Sequence, residues 1–296
     1  MAITSDPHTV DLREPHSWRR TKNRITTVLM VISFVLVIVP LGFVLYTVIS
    51  KGAGIISGTF LTAAIPPNVL PASVGGMGPA IVGTLEITGL ATVMAVPLGV
   101  LGAIYLNEYG GNRPLARVIG FMSDVMTGVP SIVMGLFIFS IWVLHFGYSG
   151  LAGAFALGCL MLPIVIRSTY EMLRLVPNSL REGSYALGAS KARVTVTVVL
   201  PAAIGGIVSG ALLAVARAAG ETAPLLFTIL TVTTVNRNVF SGPNTSLPSQ
   251  IFANASSPYV GAQARGWGAA LTLIAIAFIL MIIARLVTAR FARYQR

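Results

Sequence analysis

Residues 25–50 run for twenty-six positions without a single charged side chain. As a helix such a run extends about 39 Å, enough to cross a hydrocarbon core of about 30 Å. Lipid offers backbone N–H and C=O groups no other partners, so the run has to be helical. Six stretches are apolar and long enough to span, some of them interrupted: residues 24–50, 80–106, 117–146, 151–168, 201–235 and 267–286. With 55% hydrophobic and only 10% charged residues, the chain predicts an all-α integral membrane protein with six transmembrane helices. Residues 1–23 precede the first run and read as a disordered cytoplasmic arm, and residues 24–296 form one six-helix domain. No small-residue cleavage site follows the first run, which is therefore read as a retained span.

The formal net charge of +11 is spread in ones and twos between apolar runs, and this pattern excludes a nucleic-acid stripe. It sets topology instead. Lys and Arg collect on cytoplasmic segments near span ends. Arg13, Arg19, Arg20, Lys22 and Arg24 precede the first span, and Arg113 and Arg117 lie between the second and third. Arg167, Arg174, Arg181, Lys191 and Arg193 surround the fourth connection, and Arg285, Arg290, Arg293 and Arg296 close the chain. Only Lys51, Arg237 and Arg265 fall on the other side. Both termini are thus expected in the cytoplasm, and segments 51–79 and 236–266 outside, with a tight turn at 147–150 as the third external connection. Trp267 and Tyr294 suit the two interfaces of the last span. The single cysteine, Cys159, allows no internal disulfide or cysteine-based metal cluster and reads as a small buried hydrophobe.

Between the fourth and fifth spans, residues 171–201 are too polar for lipid and too patterned for a linker. The sequence EGSYALGASKARVTVTVVLP begins at Glu182 and ends at Pro201. Helix formers up to Leu187 meet Gly188, and a second helix restarts at Ala189 and leads into the next span. Such an elbow is a compact knob for another protein to grip. The spacing of Glu182, Gly188, Val198, Leu200 and Pro201 resembles the cytoplasmic loop of bacterial binding-protein-dependent importer permeases, with small Gly183 and Ser184 standing where that family usually has alanines. The resemblance implies a type I ABC importer permease fold, and it implies that Glu182, Gly188, Ala189, Lys191 and Arg193 couple the chain to an ATPase subunit. The chain itself contains no G-x-x-x-x-G-K-[ST] phosphate loop, and Lys22, Lys51 and Lys191 stand in no glycine-rich context. The energy is accordingly expected from another polypeptide, which would bind the ATP and Mg; no cofactor is expected in this chain.

A charge inside a span costs at least about 2.5 kcal/mol, so each one needs a reason. Arg217 and Glu221 stand four apart, where they share a helical face and pair. Pairing alone is a sufficient structural reason, but Gly220 and Pro224 interrupt the helix beside them, and broken charged helices are where transporters place substrate sites. If the cargo is an anion, a buried Arg217 guanidinium is the natural recognition group, with Glu221 holding it between transport events. Arg167, near the inner end of the fourth span, reads as a second contact or as an anchor that snorkels to the headgroups. On straight helices the two arginines would sit roughly 6 Å and roughly 22 Å from the inner boundary, as successive points on one path. Glu86 and Asp124 read as boundary residues.

The stretches GVPSIVMGLF at 128–137 and ARAAGETAPLLF at 216–227 resemble the phosphate-specific importer's permeases, a likeness that continues over most of residues 82–230. Of the two permease types in that system, the coupling loop and PIVIRSTYEML look like the second, or A-type. The resemblance implies a second homologous permease, a dimer of cytoplasmic ATPase subunits, an extracytoplasmic phosphate-binding protein, and phosphate passing Arg167, Arg217 and Glu221. Another oxyanion, molybdate or sulfate, fits the same architecture. A stand-alone secondary transporter predicts internal duplication, which the sequence does not display. Membrane enzymes are disfavoured, because His8 and His16 lie in the tail, His145 stands alone, and no metal-ligand spacing occurs in the spans.

Overall fold

The computed structural model describes residues 17–292; the arm at 1–16 and Tyr294 lie outside the described residues. Among the described residues all regular structure is helical. The chain divides near residue 50 into two units.

Helix α1, Ser17–Gly52, begins seven residues before the apolar run, so part of the predicted arm is helical. Its apolar side chains, Phe34 and Leu36 among them, are exposed along its length, as a lipid-facing helix requires. Beyond it come α2 (Gly58–Thr62), α3 (Gly78–Ile104) with a π-helical extension at Tyr105–Gly110, α4 (Pro114–Gly128), α5 (Ser131–Ile138) and α6 (Leu144–Phe146). Then follow α7 (Gly150–Arg174), α8 (Asn178–Ala186), α9 (Lys191–Val194), α10 (Leu200–Ala219), α11 (Ala223–Thr228), α12 (Leu247–Ala255) and α13 (Val260–Ala292).

Five helices are long and apolar enough to cross a membrane, and a sixth span exists if α4 and the α5–α6 segment count as one. That pair bends by 109° at its break, within the stretch 117–146 read from sequence as one span. Pro130 is the cause: it pushes Val129 out of helical geometry, and Gly128 adds no resistance. Other spans outrun their apolar windows. The fourth continues to Arg174 instead of ending at Ser168, and the last starts at Val260 instead of Trp267. Hydropathy marks the hydrocarbon-buried part of a helix, and polar turns extend beyond it.

Helices α3, α7, α10 and α11 form the centre of the second unit, with Ile87, Ala91, Leu157, Met161, Val215, Leu225 and Ile229 in one buried cluster. Small residues let the backbones approach closely. Gly83 is the tightest case, since a Cβ there would overlap the Thr245 carbonyl oxygen. We predict that Gly83→Ala lowers stability by about 2 kcal/mol, the usual scale of overpacking, or about 5 °C in the unfolding midpoint in detergent. An unchanged midpoint would show that segment 244–246 yields freely.

At the end of the bundle where α3 begins, Arg265, which the charge count placed on the outer side, is wholly buried. Its guanidinium donates to the carbonyls of Leu70 and Pro71, both at 3.0 Å, and to Pro67 at 3.4 Å. The side chain thereby ties the start of α13 to the segment before α3. Nearby, Lys51 lies 5.0 Å above the Trp267 ring.

Candidate functional site

Three groups of charged residues occupy the second unit. The first is the elbow. Helix α8 ends at Leu187, Gly188 turns the chain with φ +79°, and Ser190 caps α9 by accepting from the Arg193 N–H at 3.4 Å. Gly188 N–H donates to the Tyr185 carbonyl at 2.9 Å and Ala189 N–H to Ser184 at 3.2 Å, closing the end of α8. Helix α9 then runs unbroken through a π-helical turn, Thr195–Val199, into α10. Glu182, Gly188, Lys191 and Arg193 are exposed, Ala189 is half-buried, and the Leu187 side chain is 90% exposed. Leu187 thus stands as an apolar side chain on an exposed, charged knob.

Arg181, immediately before that knob, turns inward. Its guanidinium meets the Glu108 carboxylate at 3.0 Å, with both side chains largely buried. It also donates to the carbonyls of Leu173 at 2.9 Å and Val176, and to the Asn178 side chain at 3.3 Å. Asn107 donates to the same Glu108 oxygen at 2.7 Å. Sequence reasoning took Arg181 only as a topological charge. Glu108 escaped it entirely, although a carboxylate at the end of an apolar run was signal enough to look for a cation.

The second group is at the break after α10. Arg217 and Glu221 approach to 3.7 Å, an ion pair without a hydrogen bond. Gly220 and Thr222 separate α10 from α11, the interruption that Gly220 and Pro224 predict. The Arg217 side chain is 69% exposed, not buried as expected. It leaves the bundle on an outer face beside Leu160 and Ile164, level with the middle of α7. Across the break, Gly135 of α5 lies so near Pro224 that a Cβ would fall 2.6 Å from its Cα. The two broken helices therefore meet each other.

Arg167 centres the third group. It is bracketed by Asp124 of α4 at 3.3 Å and by Glu171, one turn along α7, at 3.4 Å. The side chains are again exposed, and those of Arg167 and Asp124 line a cleft of about 270 Å³ with Arg117, Ser123 and Tyr170. Asp124, read from sequence as a boundary residue, is thus a partner of Arg167. The two arginines do not touch, yet they are closer in depth than straight spans imply. Ile164, which flanks Arg217, precedes Arg167 by three residues, about 4.5 Å of helix rise. Glu86 is half-buried on α3, and its Oε2 has no hydrogen-bond partner among the described residues.

Helical spans, a protruding elbow and a charged helix break together define a membrane permease of the ABC importer fold. Solved structures share that fold. A methionine ABC transporter captured in inward-facing form matches 74% of this chain and 94% of its own, with a TM-score of 0.53 and 19% identity. A bacterial transporter that imports the acidic polysaccharide alginate matches 92% and 96%, with a TM-score of 0.59 and 11% identity. The chain belongs to the family of binding-protein-dependent transport system inner membrane components, whose model matches residues 95–293. Among its relatives, the phosphate transport system permease protein PstA 1 of Mycobacterium tuberculosis H37Rv is 46% identical over 261 residues, covering 87% of this chain and 84% of the relative. The Yersinia pestis protein PstA is 41% identical over 280 residues, 94% of each chain.

Proposed function

We propose that this chain is a membrane-spanning subunit of an ATP-driven, binding-protein-dependent importer of inorganic phosphate, in a bacterial cell membrane with both termini cytoplasmic. One observation carries the reading: Arg217 presents a largely exposed guanidinium at mid-span depth, beside a broken helix. A permanent cation facing lipid there is strongly disfavoured. It is tolerated on the wall of a polar path that a second permease completes, and a planar fork of donors suits an oxyanion. The names of the relatives supply the cargo.

Phosphate handed over by an external binding protein then meets Arg217 and, deeper toward the cytoplasm, Arg167. Glu221 on one side and Asp124 and Glu171 on the other occupy the guanidinium groups when no anion is present. A dimer of ATPase subunits, holding ATP and Mg, grips Glu182, Gly188, Lys191 and Arg193 of the elbow and drives the alternation of access. This chain itself performs no covalent step. Deleting it should abolish high-affinity uptake of labelled phosphate while molybdate and sulfate uptake persist. Undiminished phosphate uptake would sink the proposal, and loss of molybdate or sulfate uptake instead would reassign the cargo.

A further inference from the structure

We propose that the Glu108–Arg181 ion pair is the rigid link through which displacement of the elbow reaches α3, a role that rests on reading the elbow as the ATPase-docking element. Helix α8 contains no buried residue, so apolar packing does not hold it to the bundle. Arg181 does. From α8 its guanidinium reaches the π-helical extension of α3 through Glu108 and the carbonyls of Leu173, on α7, and Val176, just beyond it, while Asn178 braces it on its own helix. The other arm of the elbow is held by the neighbouring residue of the same π-helical turn, because the Lys191 ammonium of α9 lies 5.2 Å above the Tyr109 ring. Two consecutive residues, Glu108 and Tyr109, therefore hold both arms.

A buried ion pair is a poor way to gain stability, because desolvation offsets most of its attraction. It is a good way to fix geometry. Four hydrogen bonds from the two terminal nitrogens of a rigid fork, with acceptors on the extension of α3 and around the end of α7 as well as on α8 itself, leave α8 little freedom to slide against α3. The π-helical turn that carries Glu108 is a rare form that frequently occurs at functional sites. A push on the exposed face of α8 accordingly moves the end of α3, whose buried residues Ile87, Ala91 and Ala95 pack in the same cluster as Val215 and Ala218 of α10, next to Arg217.

The test uses the whole complex, with both permeases, the ATPase dimer and the binding protein, in sealed proteoliposomes. Phosphate accumulated per ATP hydrolysed is compared for wild type, Glu108→Gln, Arg181→Gln and the double variant. Each single change should lower this ratio about tenfold in complexes that still co-purify with the ATPase, and the double variant should fall no further than the singles. A part that serves stability alone would lower uptake and hydrolysis together and leave the ratio unmoved. Ratios within twofold of wild type, or a double variant whose loss is the product of the singles, would overturn the link. An unpaired buried charge can prevent assembly of the single variants. The double variant, which buries no lone charge, and Tyr109→Leu, which removes the second hold, then carry the test, and an unchanged ratio in both overturns the link as well. Wild-type vesicles that hydrolyse ATP without accumulating phosphate would refute the cargo and not the link, which is then read as loss of binding-protein-stimulated hydrolysis in the same variants.

Discussion

Arg217→Ala should lower phosphate uptake about 100-fold while the complex still assembles. Removing one partner of a desolvated, charge-assisted hydrogen bond costs about 2–5 kcal/mol, and each 1.4 kcal/mol is tenfold. Assembly should survive because Arg217 makes one long ion pair and is otherwise exposed in this chain. Lysine at the position keeps the charge but loses the planar fork, so Arg217→Lys should lie between wild type and alanine. Labelled-phosphate uptake, normalised to complex recovered on a tagged ATPase subunit, is the measurement. Near-normal uptake by the alanine variant would remove Arg217 from the path.

The second large effect is expected at Gly188. Its φ of +79° lies in the region that only glycine enters freely, and nothing stands within 4 Å of where a Cβ would be. Substitution there tests backbone conformation alone, without steric confusion. Asparagine, which tolerates the left-handed region, should retain most activity; alanine should lose several-fold; β-branched valine should lose about tenfold or more. The loss should show as ATPase subunit missing from the purified complex, since the elbow no longer presents Leu187 and Lys191 in one knob. Equal activity of the asparagine and valine variants would mean that the turn does not position the docking surface.

The spans and the elbow were legible in the sequence because both are local. An uncharged run such as 25–50 admits one structure in lipid, and Gly188 between two helix-forming segments admits one kind of turn. The bend at Gly128–Pro130 was equally local, in the three letters GVP, yet the apolar run across it masks the break. The charge partnerships between helices were not legible. Arg217 and Glu221 are four residues apart, as are Arg167 and Glu171, a pair that the same periodicity offered and the sequence reading missed, whereas Arg167 and Asp124 are separated by 43 positions and Arg181 and Glu108 by 73. Helix periodicity reveals pairs on one helix; pairs between helices depend on rotation and depth, which hydropathy does not encode. Exposure of the arginines follows from the same limit, since a membrane charge looks equally costly whether it faces the bundle or a partner.

The clamp around Arg265 has a consequence for the environment in which the transporter can work. Its acceptors are the peptide oxygens of Pro67, Leu70 and Pro71, and among the described residues no carboxylate lies in ion-pair range of it. Carboxylates surrender their charge as a medium turns acidic, and pairs built on them weaken; peptide oxygens do not titrate. The hold of Arg265 on this segment therefore persists through an acid shift that would loosen an aspartate-held loop.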